Sequence, residues 1–171
     1  MIVNVQEAYL LLESLGASNR LIIHLKLVGE AAEEILEKLK SFQIEMEDDI
    51  VRLGVAVHDA GKIIHTNELH EKGNLHEPAG EALLLEAGVQ PEIARCCLSH
   101  ARYESMEVSF EELLVALSDK LWKGKREENL ELEVIDRVAE KLNKNRWDVY
   151  SELDECFEKI ALKGDERLSR S

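Results

Sequence analysis

Prolines number two in this 171-residue chain, and aromatic side chains make up only 5%. With so few prolines, long helices can run unbroken. No stretch alternates apolar and polar residues in the manner of a half-buried strand, whereas helical spacing recurs almost throughout. The three cysteines, Cys96, Cys97 and Cys156, form no CxxC pair. That pattern points away from a disulfide framework and from a thiolate zinc site. It fits a reducing compartment, and a cytoplasmic location is expected. No apolar run approaches the roughly 20 residues of a membrane-spanning helix. Residues Met1 to Glu7 lack the basic-then-apolar order of a secretory signal. Positive charge is also in deficit, with 21 Lys and Arg against 35 Asp and Glu, a formal net charge of −14. Such a balance disfavours long nucleic acid and anionic membrane surfaces as partners. A local basic cluster can still receive a small phosphate.

What is present is a succession of amphipathic helices. The expected fold is all-α, one compact bundle of about six to eight helices spanning residues 1–171 as a single domain. The first helix runs from about Val3 to Leu15 and ends at Gly16. The second, capped by Ser18 or Asn19, runs to about Lys40 with an apolar stripe of Val28, Ala31, Ile35 and Leu39. One turn before Val28 stands His24, on the same inward side. The third helix buries Ile50, Leu53, Gly54 and Val57, and Gly54 allows another helix to come close. A loop from about Ile64 to Leu75 holds His65, Glu68 and His70. The fourth helix opens at His76-Glu77-Pro78. A fifth opens at Pro91 and carries Ile93, Cys96, Cys97 and His100 on one stripe. Ser109 caps a sixth, on which Asp119 lies among Ala116, Leu117, Leu121 and Trp122. Two packing helices, about Leu130 to Leu142 and Arg146 to Leu162, complete the bundle. Gly164 to Ser171 reads as a frayed tail.

Polar residues on buried faces are the exceptions that carry chemistry. The run Leu53-Gly54-Val55-Ala56-Val57 delivers His58 and Asp59 side by side, and burying that pair is costly without a compensating partner. His24 and Asp119 border the apolar faces of two further helices. Two imidazoles and two carboxylates projected from separate helices suit a divalent cation, as in bundles that build metal sites in their cores. Fe, Mn, Co, Ni, Zn and Mg all tolerate such donors. Lys62, three residues beyond Asp59, is the first phosphate-binding candidate. Lys120, Lys123, Lys125 and Arg126 form the one concentrated basic cluster, directly after Asp119. Of these, Lys120 and Lys123 are the stronger candidates for substrate contact, and Arg102, beside His100, joins them. Trp122 reads as core packing.

The ordered pattern H…HD…D, with Ala60-Gly61-Lys62 following the HD pair, resembles the HD superfamily of metal-dependent phosphohydrolases. The resemblance covers about Leu21 to Arg126 and implies His24, His58, Asp59 and Asp119 as metal ligands. Branches of that superfamily with two metals have the order H…HD…H…H…D, and His76 and His100 fall where the additional histidines would. Asp59 would then bridge two ions. Ser99, before His100, departs from the branches that place a second His or an Asp there. The alternative is a single ion, with His76 and His100 binding phosphate. The resemblance implies a phosphohydrolase acting on a phosphomonoester or phosphodiester through metal-activated water, with a nucleotide as the expected small phosphorylated substrate. Asp59 and Lys62 are the expected catalytic residues. An HD-fold di-iron oxygenase and a non-catalytic metal- and nucleotide-binding module are the rival readings, and a homodimer is compatible with either.

Overall fold

The computed structural model describes residues 1–171. Three helices frame the molecule: α2 (Asn19–Ser41), α3 (Asp48–Val57) and α7 (Phe110–Leu121), each packed against the other two. Their sequences explain why. Ser18 accepts a hydrogen bond from the backbone of Leu21 and starts α2, which then buries Leu21, Leu25, Val28, Ala31, Ile35 and Leu39 along one face. Ser109 and Glu112 form a reciprocal capping box that fixes the start of α7. The α3 run from Val51 to Val57 is buried apart from Arg52, as befits a helix enclosed by neighbours. Gly54 sits under Cys96 Sγ and a Val115 methyl, where an added Cβ would lie 2.7 and 2.9 Å from them.

Around this frame lie α1 (Val5–Ser14), α4 (His76–Glu86), the short α5 (Pro91–Ala94) and α6 (Cys96–Arg102), then α8 (Glu128–Lys141), α9 (Arg146–Leu162) and α10 (Gly164–Ser169). Two 3₁₀ turns, Ala60–Ile63 and Thr66–Leu69, link α3 to α4. There is no strand, so the all-helical expectation holds. Eight of the α-helices have seven residues or more, within the expected six to eight.

Three expectations need correction. The helix opened at Pro91 is broken at Arg95, so Ile93 and His100 lie on two short helices, α5 and α6. The segment read simply as a loop contains the 3₁₀ turn Thr66–Leu69. The tail is not frayed: Arg167 is buried, donates to the carbonyls of Trp122 and Ile160, and pairs with Glu34 on α2. Those bonds hold α10 in place.

Apolar side chains form two cores. The larger joins α2, α3 and α7 to α8 and α9; the smaller joins α1, the start of α2, α3, α4 and α5. Three elements contribute to both. Val55 and Cys96 belong to the larger core, and their neighbours Ala56 and Cys97 to the smaller. On α2 the change falls between Leu25 and Leu27. His24, His58 and His100 are carried by these same three elements, where the two cores meet.

Candidate metal centre

The end of α3 sets the geometry. The helix stops at Val57, His58 is its C-cap, and Asp59 leads into the turn Ala60–Ile63. Gly61 in that turn touches α4 backbone to backbone. A Cβ at Gly61 would lie 1.7 Å from the carbonyl oxygen of His76 and 2.7 Å from Gly80 N. Only glycine permits that approach, and it brings His76 up to Asp59.

Asp59 is the hub. Its Oδ2 lies 2.9 Å from His24 Nε2 and 3.7 Å from His58 Nε2. Its Oδ1 lies 3.2 Å from His76 Nε2 and 3.6 Å from His100 Nε2. His58 Nε2 is 3.4 Å from Asp119 Oδ1. The six residues thus form three overlapping groups of potential ligands: His24, His58 and Asp59; His58, His100 and Asp119; Asp59, His76 and His100. All are buried except His24, which is partly exposed.

The histidines are aimed. His58 Nδ1 lies 2.8 Å from the Val55 carbonyl, and His100 Nδ1 lies 3.0 Å from the Cys96 carbonyl. His76 Nδ1 contacts Glu68 Oε2, and Glu68 also accepts from the backbone N–H groups of Leu75 and His76. Each acceptor holds the proton on Nδ1 and leaves the Nε2 lone pair facing the centre, the arrangement that orients metal-bound histidines. Nε2 of His24, His58 and His76 is nevertheless buried without a properly aligned hydrogen-bond partner. Buried polar atoms are rarely left so. Three that converge on one carboxylate, among nitrogen and oxygen donors, fit a divalent ion.

Electrostatics follow the same geometry. Burial opposes ionisation of Asp59, but His58, His24 and His76 outweigh it and hold the carboxyl well below its ordinary range. Asp119 is likewise lowered against its burial by His58 and His100. Burial disfavours charge on His58 and His76, yet the neighbouring carboxylates raise both above the usual histidine value. His100, buried beside His58, is pushed down to about 4 and is neutral near pH 7. Cys96 is driven up to about 12 by burial, and Cys97 is raised by burial as well. Neither provides a thiolate.

The centre opens into a cleft of about 360 Å³. Lys62, Lys120 and Lys123 line it; Lys62 Nζ lies 2.7 Å from Asp59 Oδ2, and Lys120 Nζ lies 3.7 Å from Asp119 Oδ2. Arg102 does not line the cleft. Its guanidinium pairs with Glu77, which does line it. Arg126 pairs with Glu131 and Asp154, and Lys125 with Glu127. His65 and His70 take no part, His70 being exposed. Trp122 is buried, with its ring edge-on to His24 at 5.0 Å between centroids.

Glu68 is the residue whose role the sequence concealed. It lies in the least periodic part of the chain, and its carboxylate reaches forward eight residues to His76.

The family model for the HD domain matches residues 21–147. The chain belongs to the HD-domain family. HD domains are metal-dependent phosphohydrolases as a family, and the His/Asp cluster stands inside the matched segment. The matched segment also takes in α8 and the first residues of α9, beyond the limit near Arg126 expected from the sequence. No curated protein and no solved structure matches this HD domain. No helix is long and apolar enough to cross a membrane.

Proposed function

We propose that this HD domain hydrolyses phosphomonoesters or phosphodiesters with two divalent ions. The observation that carries the proposal is the division of the Asp59 carboxylate, one oxygen toward His24 and His58 and the other toward His76 and His100. His24, His58, Asp59 and Asp119 would hold one ion; Asp59, His76 and His100 would hold the second. Paired ions clamp the attacking and leaving oxygens of a phosphoryl group and lower the pKa of water.

The chain's own residues supply the remainder. Val55, Cys96 and Glu68 hold three imidazoles in place through Nδ1. Lys62 and Lys120 place ammonium groups beside the cluster, where they offset charge developing on phosphate oxygens. The two inner carboxylates are deeply buried, which strengthens each of these interactions.

The test is to strip the protein of metal and reload it in turn with Mn, Fe, Co, Ni, Zn and Mg. Bound ions are counted, and p-nitrophenolate release is followed from p-nitrophenyl phosphate and its bis ester. Metal-dependent hydrolysis with two ions per chain is expected. Oxygen consumption by the iron-loaded protein, with neither ester hydrolysed under any metal, would overturn the hydrolase reading. Full activity with one ion would overturn the second site.

A further inference from the structure

The cleft beyond the centre has a chemistry of its own, and it bears on the substrate end that does not react. Ala101 is the one apolar residue in the wall, and apart from the imidazoles of the candidate metal centre no aromatic residue lines the space. Trp122 comes nearest in sequence, but it is 6% exposed, and its ring is spent against His24. The outer wall is instead built from Lys72, Lys123, Glu71 and Glu77. Lys72 and Lys123 have no carboxylate within salt-bridge distance, unlike Lys62 and Lys120. Glu77 is 6% exposed yet lines the cleft, and Arg102 balances its charge.

A nucleobase gains much of its binding energy from stacking on a flat face, and this cleft offers no Phe, Tyr or Trp, its imidazoles being turned to the ion cluster. Ammonium groups suit phosphate oxygens and act as donors to hydroxyl oxygens. Carboxylates such as Glu71 and Glu77 accept from hydroxyl groups. A cleft lined by both kinds of group matches a compact ligand that carries several hydroxyls around one phosphate.

The geometry points to a small hydroxylated phosphate monoester, of the sugar- or polyol-phosphate class, as the substrate, in place of the nucleotide expected from the sequence. This inference rests on the hydrolase reading above for its chemistry, but its recognition half stands on the cleft wall alone.

Ribose 5-phosphate and adenosine 5′-monophosphate isolate the question, because they share the sugar phosphate and differ in the base. Metal-loaded protein is assayed for kcat/KM on both, and on p-nitrophenyl phosphate as a generic ester. Binding of both is measured in parallel by calorimetry. A kcat/KM for ribose 5-phosphate at least tenfold above that for the nucleotide is expected, with tighter binding in the same order. Equal or better turnover and binding of the nucleotide would overturn the inference. If none of the three esters is hydrolysed but ribose 5-phosphate binds more tightly, the recognition stands and the hydrolase reading falls.

Discussion

Two of the places where this molecule buries polar side chains treat them in opposite ways. At the C-terminal end, Arg167 is enclosed between α2, α9 and the end of α7, and its guanidinium is occupied by two carbonyls and Glu34. At the metal centre, three imidazole nitrogens are equally enclosed and have nothing aligned to receive them. Burying a polar group costs free energy unless its partners are present. The first arrangement is complete as it stands and fastens the fold. The second is complete only with a ligand, and the surrounding acceptors spend their effort on aiming the rings. Burial alone therefore does not mark a site; convergent atoms left unpaired do.

Substitution at the hub should separate the two regions most sharply. Asp59→Ala is expected to remove bound metal and to lower phosphoester turnover by more than the roughly 10–100-fold typical of changes behind a ligand. Metal content and kcat/KM read this directly, and a folded variant retaining either would erase the distinction. Arg167→Met should do the reverse. Leaving Glu34 and two carbonyls without their partner is expected to cost about 3 kcal/mol, at the low end for a broken buried pair because Glu34 is partly exposed. Urea unfolding measures that loss, and bound metal per folded chain should be unchanged.

A finer cut lies within the centre. Glu68→Gln keeps an acceptor for the backbone but weakens the hold on His76, and should reduce metal affinity about 10–100-fold. A change under twofold would mean that the carboxylate serves the turn and not the ring. The mildest test is pH. His58 and His76 have folded-state values raised above 6.5, so in metal-free protein their contribution to stability is present below 6.5 and is lost as pH rises through those raised values. Asp59 and Asp119 are lowered, so theirs is present above 3.8 and is lost as pH falls through the lowered values. Metal competes with the histidine protons, so affinity should fall as pH drops through the raised values. Titration of metal binding across that range checks the sign.

Much of this was legible in the sequence because helical periodicity turns a linear pattern into a facing direction. His24 stands one turn before Val28, and His58 one turn after Gly54, so inward placement could be read directly. The structure then gathers these residues with His76, His100 and Asp119 around Asp59. Other features had no such signal. Glu68 lies in a segment without period, and its bond to His76 depends on a turn that no residue announces. The break at Arg95 contains neither glycine nor proline. Arg167 follows a glycine in a polar tail, and its burial depends on carbonyls and a carboxylate far away in the chain. Arg102, two residues after His100, was expected at the cleft from sequence proximity, and the structure pairs it with Glu77 in the cleft wall.

The contact between Gly61 and Gly80 has a wider meaning. It works as a stitch that closes residues 62 to 79 into a loop pinned at its base. Lengthening a loop already closed at its base costs only about 0.6 kcal/mol per doubling. The exposed residues 70 to 72, ahead of the Gly73 and Leu75 contacts to Glu68, can therefore gain or lose neighbours over evolutionary time while the base beneath stays fixed. Selectivity can drift there without endangering the chemistry beneath it.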